Sequence, residues 1–338
     1  MMRAVVTMLA VLSLPALARA EAVDFNLVGK VLAGSRDKPV ITISANEQTD
    51  GVEVVLTRDD GKVFKHKTGP LRPGATKSFP IPVTPGQERR FKGSMKVTVD
   101  GQAQSANFEF ASEVVTPATI TYDQVDLAAH TLVLKSTRET TKVELEVTSD
   151  EGQTLGQTEV TFDDAAAGAP LPVSWNQADG TVLKIAIKVH DPDGFYYGLE
   201  LYPWRIDIPH EEVNFATNSF ALDKSEEPKL DSSFEQISDA VARYGRWAEI
   251  KLYIAGHTDT VGDPRSNRTL SIKRARSISQ HFRKKGLRVP IFYEGFGEEA
   301  LKVATPDETD ESRNRRADYV IAVEPPSIHG SASWKRLP

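Results

Sequence analysis

The sequence has no cysteine among its 338 residues. This absence excludes disulfide frameworks, thiolate zinc sites, iron–sulfur clusters and thiol catalysis, and it excludes the lipidated cysteine of a bacterial lipoprotein. Basic residues are in the minority, because 41 lysines and arginines stand against 47 aspartates and glutamates, for a formal net charge of -6. Such a chain lacks the overall basic field that nucleic-acid binding draws on, so nucleic acid is disfavoured as a partner.

Long apolar runs are also scarce. The chain starts with a basic Arg3, an apolar run over residues 4–14 and a small-x-small end at residues 18–20. This layout predicts a secretory signal peptide over residues 1–20, cleaved after Ala20. The apolar run is well short of the roughly 20 residues that cross a bilayer, and no later stretch approaches that length. We therefore expect an exported, soluble mature protein.

Between Val23 and about Ile208, apolar and polar residues alternate in short runs separated by turn signals, which predicts strands. An internal repeat gives the clearest order: residues 52–61 read VEVVLTRDDG and residues 143–152 read VELEVTSDEG. The offset of 91 residues is close to the roughly 100 residues of an immunoglobulin-like sandwich. We predict two all-β immunoglobulin-like sandwiches, at residues 21–113 and 114–208.

Two features of the second sandwich have alternative interpretations. Trp175 and Trp204 could stack on carbohydrate, but a sandwich core commonly holds a tryptophan, and we favour packing. Two alternating carboxylates in residues 191–194 (Asp-Pro-Asp-Gly) are reminiscent of a calcium loop. Because the further ligands of a 12-residue EF-hand loop are missing, a hairpin turn is the better interpretation.

After Pro209 the apolar period becomes helical. One stripe at steps of four and three predicts an amphipathic helix closed by Gly245; its residues are Leu230, Phe234, Ile237, Val241 and Tyr244. A second helical pattern runs from Leu270 to Gly286, and strands are predicted near residues 213–215, 250–254, 291–293 and 319–323. The order βαβαβ followed by a last strand predicts an α/β domain over residues 209–323. The tail, residues 324–338, is rich in Pro, Ser and Gly and is predicted to be disordered or loosely docked.

Opposite charges flank the loop between the second strand and the second helix of this domain. Asp259 would emerge directly after the strand and Arg274 would lie one turn inside the helix, so a short loop can bring both toward one pocket. The carboxylate suits an ammonium and the guanidinium suits a carboxylate, and together they complement a zwitterion. The alternative is a structural salt bridge between the two residues.

The motifs around this pair resemble the OmpA-like C-terminal domain family. They occur in the family's order over about residues 207–323 and are Gly256-His257-Thr258-Asp259, Gly262, Asn267, Leu270-Ser271, Arg274-Ala275, Gly295-Phe296-Gly297-Glu298 and Asn314-Arg315-Arg316. The resemblance implies non-covalent binding of peptidoglycan through the meso-diaminopimelate of the stem peptide. It places the ammonium- and carboxylate-binding pair at Asp259 and Arg274. Supporting positions match at Thr258, Asn267, Leu270 and Arg316. The sequence departs from the family pattern at residues 299–301, which lack a common proline, and at Ala317, where valine is frequent.

Two neighbouring features suggest other chemistry. His257 beside Asp259 could bind a metal or act as a base, but no His-Glu-x-x-His spacing accompanies it, so a structural histidine is favoured and neither metal nor cofactor is expected. Arg313, Arg315 and Arg316 could bind phosphate. Acidic residues flank them, which favours local pairing together with ligand support.

These observations favour a binding protein rather than an enzyme. We expect a cell-envelope protein in the periplasm, associated with the cell wall or outer membrane of a Gram-negative bacterium, with peptidoglycan as partner and a second envelope protein at the β-sandwiches. The alternative is a cell-wall-processing enzyme that uses the OmpA-like domain for targeting. No Gly-x-Ser-x-Gly, Ser-x-x-Lys or zinc signature occurs in the N-terminal region, while a carboxylate-pair glycosidase has no fixed spacing and stays open. A motor component such as a flagellar stator would need a membrane span.

Overall fold

The computed structural model describes residues 22–123, 125–216, 219–328 and 333–338. The predicted signal peptide at residues 1–20 lies outside the described residues. The chain divides into two compact units. One comprises the described residues up to Glu144 with Glu159–Ser174 and Lys188–Leu199, and the other comprises Leu145–Thr158, Trp175–Ile187 and Glu200–Pro338.

The N-terminal strands form two sheets around one apolar core. Their bounds are β1 (Val23–Val28), β2 (Lys30–Leu32), β3 (Val40–Ala45), β4 (Gly51–Arg58), β5 (Val63–Lys67), β6 (Thr76–Pro80), β7 (Arg89–Val99) and β8 (Gln102–Val115). The sheet orders are β1-β3-β6 and β2-β8-β7-β4-β5. Buried residues alternate along the strands, as at Ile41 and Ile43 of β3 and at Val52 and Val54 of β4, and they join one cluster. The sheets therefore pack face to face, while the immunoglobulin-like assignment of residues 21–113 stays a prediction.

Seven further strands follow in the described chain. They are β9 (Ile120–Tyr122), β10 (Thr131–Ser136), β11 (Thr140–Ser149), β12 (Thr154–Ala165), β13 (Leu171–Ser174), β14 (Val182–His190) and β15 (Tyr196–Leu201). Their sheet orders are β13-β10-β9 and β12-β11-β14-β15. The internal repeat is visible as equal turns after β4 and β11. Gly61 and Gly152 have φ of 82° and 81°, and each donates its N–H to the carbonyl three residues earlier, Arg58 and Ser149.

The two compact units cut across residues 114–208, because this segment contributes to two different cores. Phe195 and Tyr197 belong to an apolar cluster of the first unit. Leu183 and Trp204 belong to the large cluster of the second unit, which contains the C-terminal helices. The units thus do not follow the predicted boundaries at residues 113/114 and 208/209, and the three-domain division stays a prediction. Trp175 and Trp204 are both buried, consistent with the packing role favoured from the sequence.

The C-terminal elements are those of an α/β domain. They are β16 (Arg205–Asp207), α1 (Glu227–Tyr244), β17 (Lys251–His257), α2 (Pro264–Lys285), β18 (Ile291–Gly297), β19 (Ala317–Ala322) and β20 (Lys335–Arg336), with short 3₁₀ turns at Lys224–Glu226 and Ser312–Asn314. The sheet order is β16-β19-β17-β18-β20, with β17 and β18 parallel and β19 antiparallel to β17. The helices cover an apolar core that includes Leu230, Ile237, Ile278 and Phe282. Within the described residues, neither helix is both long enough and apolar enough to span a bilayer.

The first strand of this domain is not where the sequence predicted it. Residues 213–215 form no strand, and the edge position beside β19 is taken by β16, in which Ile206 pairs with Ile321. Val213 is buried in the same core as the helices although it has no strand partner. The apolar residues of this segment therefore reflect burial of a loop, and the sheet already begins at Arg205, before the predicted boundary at 208/209.

Of the two states predicted for the tail over residues 324–338, disordered or docked, its described C-terminal end adopts the docked one. β20 pairs with β18 through Phe292↔Arg336 and Tyr293↔Lys335. Trp334 packs edge-on against Tyr253, at 5.1 Å between ring centroids, and Leu337 is 5% exposed. These two apolar side chains give the tail enough burial to dock, which its Pro, Ser and Gly content concealed. Residues 329–332 of the predicted tail lie outside the described residues.

Candidate functional site

Two glycines hold helix α2 against the strands that end at the candidate site. A Cβ at Gly256 of β17 would lie 2.3 Å from the carbonyl oxygen of Ser271, and a Cβ at Gly295 of β18 would lie 2.2 Å from the backbone nitrogen of Ile272. Only glycine permits this approach. The close packing fixes Arg274, two residues further along the helix, relative to the strand ends.

Helix α2 also starts earlier than its apolar pattern indicated. Asp263 is the N-cap, accepting from the backbone N–H of Ser266 at 2.8 Å, and Pro264 occupies the first turn. This is a standard helix start that precedes the apolar stripe. Asn267 therefore lies in the first turn and not in the loop, and Arg274 lies almost three turns inside the helix rather than one.

Asp259 is buried two residues beyond the end of β17. Its residue exposure is 7%, and its Oδ2 lies 2.5 Å from Nη1 of Arg315. The same guanidinium also contacts Asp310. Hydrogen bonding to Asp310 and Asp259 raises the pKa of Arg315 above its usual value. The carboxylate of Asp259 is thus already paired with a cation of the protein itself.

The loop that carries Asp259 is tied to helix α2 by one amide. Asn267 Nδ2 lies 3.1 Å from the carbonyl oxygen of Val261 and 2.8 Å from Oε2 of Glu298. Thr260 adds a second tie, since its hydroxyl donates to the carbonyl of Pro306 at 2.7 Å. These bonds fix the backbone around Asp259.

Arg274 is half-buried without a carboxylate partner at ion-pair distance among the described residues. Its Nε donates to the carbonyl of Ser219 at 3.0 Å, and its guanidinium lies 5.1 Å from the ring centroid of Phe215. Burial lowers the pKa of Arg274, while the charge of Asp259 acts in the opposite direction. The two residues are therefore close enough to interact electrostatically, but the salt bridge of Asp259 goes to Arg315.

The remaining predicted residues divide between the pocket and its support. Thr258 is 2% exposed, its N–H donates to the carbonyl of Gly297 at 2.9 Å, and its hydroxyl has no partner among the described residues. Leu270 is half-buried one helical turn before Arg274. Arg316 points elsewhere: its Nε lies 3.2 Å from Asp318 and its Nη2 lies 3.2 Å from the carbonyl of Ala300.

His257 belongs to the same supporting group as Arg316. Its Nε2 lies 3.1 Å from Oδ2 of Asp318, and its ring stacks on Phe296 at 5.4 Å between centroids. Burial lowers the pKa of His257. This environment suits a neutral, structural histidine.

The sequence named Arg315 only as part of a basic group and placed Arg316 at the site, whereas Arg315 is the arginine that contacts Asp259. Adjacent residues at the start of an extended segment point to opposite sides. One arginine of the Asn314-Arg315-Arg316 motif therefore faces Asp259 and the other faces Asp318. The motif alone does not show which is which. Ser219 carried no sequence signal, and Phe215 was predicted only as the end of a strand at residues 213–215, so neither was expected to contact Arg274.

Residues 214–316 match the family model described as the OmpA family, which confirms the resemblance over this part of the chain. No curated protein matches the chain. Among solved structures, the peptidoglycan-associated lipoprotein from Burkholderia pseudomallei is similar at 22% identity and a TM-score of 0.27, covering 32% of this chain and 88% of that one. The cell wall anchor of the T6SS from Pseudomonas aeruginosa is similar at 20% identity and a TM-score of 0.25, covering 43% and 86%. The OmpA-like domain of FopA1 from Francisella tularensis is similar at 15% identity and a TM-score of 0.27, covering 48% and 81%.

Proposed function

We propose that this protein is an exported cell-envelope protein that binds peptidoglycan non-covalently, through the diaminopimelate of the stem peptide. The free end of the diaminopimelate side chain carries an ammonium and a carboxylate on one carbon. A site for such a group needs one fixed charge of each sign at short separation. Asp259 and Arg274 supply these charges, and the OmpA-family match at residues 214–316 supports the assignment.

The observation that carries the proposal is the environment of Arg274. Its guanidinium is half-buried, it makes one hydrogen bond to a carbonyl, and no carboxylate of the described residues pairs with it. A partly buried charge without a counterion is costly unless a ligand compensates it. A ligand carboxylate would do so with the bidentate geometry that a guanidinium favours.

The neighbouring residues suit the rest of this ligand. We assign the unpartnered hydroxyl of Thr258 to a hydrogen bond with the bound group. We assign Leu270 to contact with the methylene chain of that group, because Leu270 and Arg274 are four residues apart on one helix face. Asn267 acts by holding the Asp259 loop. Arg316 acts indirectly, by pairing with Asp318, which also contacts His257.

Co-sedimentation of the full protein with purified peptidoglycan sacculi tests the proposal. Asp259→Asn removes the charge and keeps the side-chain shape, and Arg274→Gln removes the charge and leaves a shorter polar side chain. Each should weaken binding by at least about 30-fold, since losing one partner of a desolvated charge pair costs roughly 2 to 5 kcal/mol. Asp239→Asn on α1 and Arg276→Gln on α2 are matched controls, because both residues are exposed in the same domain. Folded Asp259 and Arg274 variants that still sediment like the wild type would exclude this site.

We assign binding and no catalytic step to this site. We propose a periplasmic location at the cell wall or outer membrane, with the N-terminal β-structure available to another envelope protein. Cell fractionation of the wild type beside Asp259→Asn tests the location, because loss of wall binding should move the protein from the sacculus fraction to the periplasmic fraction.

A further inference from the structure

The candidate site contains a third charged side chain, Arg315, which already contacts the carboxylate of Asp259. Nη1 of Arg315 lies 2.5 Å from Oδ2 of Asp259. Arg274, in contrast, has no carboxylate partner among the described residues within ion-pair distance. The pocket is therefore asymmetric: its carboxylate is covered by an internal cation, whereas its guanidinium is open to a ligand.

Arg315 has a second carboxylate partner besides Asp259. Arg315 also contacts Asp310, whose side chain is 78% exposed, and the side chain of Arg315 is itself 39% exposed. The side chain of Asp259 is only 10% exposed. Arg315 can therefore leave the buried carboxylate and keep the solvent-facing one without losing all its charge pairing.

The backbone beneath Arg315 does not share this freedom. Asn314 is fully buried, and its side-chain amide forms two hydrogen bonds of 2.9 Å with the backbone N–H and carbonyl of Val303. This anchor fixes the loop directly before Arg315. Any exchange at Asp259 consequently involves rotation of one long side chain.

We propose that Arg315 is an internal competitor that occupies the ammonium position of the site until a ligand displaces it, and this inference rests on the proposed function. The ligand ammonium replaces Arg315 on Asp259, while the ligand carboxylate pairs with Arg274. A ligand with an ammonium alone only exchanges one cation for another at Asp259. A zwitterion also compensates Arg274, so Arg315 makes the site selective for groups that carry both charges.

Isothermal titration of the full protein with a diaminopimelate-containing muropeptide measures the competition. Arg315→Gln should tighten binding by about two- to fivefold, because a partly exposed ion pair is worth up to about 1 kcal/mol. The same variant should also tighten binding of cadaverine, an amine without a carboxylate. Arg313→Gln is the matched control: Arg313 lies two residues earlier, pairs with Glu311 and has a 64% exposed side chain, so its loss should change neither affinity.

Asp310→Asn gives an independent test, because the side chain of Asp310 is 78% exposed and its substitution disturbs no core packing. Without Asp310, Arg315 pairs with Asp259 alone, so muropeptide binding should weaken. In the double variant with Arg315→Gln this effect should vanish, because the competitor is absent. Unchanged or weaker binding by Arg315→Gln, or no effect of Asp310→Asn, would overturn the inference. Loss of binding in Asp259→Asn and Arg274→Gln would still support the proposed function in that case, whereas absence of binding by the wild type would refute the function itself.

Discussion

Replacing Gly295 by alanine should disturb the candidate site by pushing helix α2 away from strand β18. The added Cβ would lie 2.2 Å from the backbone nitrogen of Ile272, 2.4 Å from Oγ of Ser271 and 2.7 Å from the carbonyl carbon of Ser271. Two of these atoms are backbone, so no side-chain rotation can relieve the clash. The closest contact must open to at least 3.0 Å, a displacement of helix α2 by about 0.8 Å. Overpacking of this kind costs about 1 to 3 kcal/mol, and we expect the upper end of that range because the backbone itself must move.

The displacement also reaches the binding residues. Arg274 lies two residues beyond Ile272, and its Nε is 3.0 Å from the carbonyl of Ser219. A shift of this size is comparable to the margin between a good hydrogen bond and none. Gly295→Ala should therefore reduce both the stability of the domain and its binding to sacculi, although the substituted residue itself contributes no side chain to the site.

Hydrogen–deuterium exchange localises the effect in this multidomain chain, for which one unfolding midpoint is poorly defined. The amides of α2 and β18 should exchange faster in Gly295→Ala, and those of β4 and β7 should not change. Gly198→Ala is the control, because its Cβ would meet nothing within 4 Å. If Gly295→Ala exchanges and binds like the wild type, the close packing of α2 on β18 is refuted.

Two further predictions concern residues beside the site. Burial lowers the pKa of His257 below the usual value near 6.5, so the folded state takes up this proton less readily than the unfolded state, and stability should fall as pH drops below about 6.5. Hydrogen–deuterium exchange of the β17 amides, corrected for the pH dependence of the intrinsic exchange rate, should show the loss in the wild type and a smaller loss in His257→Gln. Trp334→Ala should destabilise the docked C-terminal end by about 2 kcal/mol, because the half-buried indole packs on Tyr253 and Phe296. Faster amide exchange in β18 and β20 with unchanged sacculus binding would support this, and unchanged exchange would contradict it.

Much of the C-terminal domain could be predicted from the sequence, because periodicity reports which face of an element is buried. The stripe of Leu230 and Ile237 predicted α1, and both residues are fully buried. Predicted strands at residues 250–254, 291–293 and 319–323 correspond to β17, β18 and β19. Periodicity failed where burial occurs without regular pairing, as at Val213, and where two apolar side chains dock a short polar segment, as at Trp334 and Leu337.

The N-terminal half was predictable at the level of strands and turns. The interpretation of residues 191–194 as a hairpin turn agrees with the bond from the N–H of Gly194 to the carbonyl of Asp191 at 3.1 Å. The structure adds a reason for the paired carboxylates. Asp191 lies 3.1 Å from Nε of Arg138, and Asp193 lies 2.7 Å from Nζ of Lys30, so each carboxylate pairs with a side-chain cation. These partners lie far away in sequence, and spacing alone could not reveal them.

The same limit applied at the candidate site. The sequence placed Asp259 and Arg274 near one loop, since strand order and helix position depend on local patterns. It did not indicate that Arg315 would pair with Asp259, because the two residues are 56 positions apart and only the pairing of β17 with β19 brings them together. The direct salt bridge between Asp259 and Arg274, considered as an alternative, is replaced by this longer-range pair.

The packing of the site determines which of its parts can respond to a ligand. Helix α2 cannot retreat from β17 and β18 cheaply, because Gly256 and Gly295 place it in backbone contact with both strands. Asn267 of α2 holds the loop after β17 by a hydrogen bond to the carbonyl of Val261. Asn314 holds the chain segment just before Arg315 by a hydrogen bond to the carbonyl of Val303. Moving any of these costs buried hydrogen bonds or core contacts, each worth about 1 kcal/mol or more. Rotating the partly exposed Arg315 away from Asp259 costs no more than about that amount, and Asp310 offsets part of it. The least costly route for a zwitterion into this site therefore moves one arginine side chain and leaves the fold unchanged.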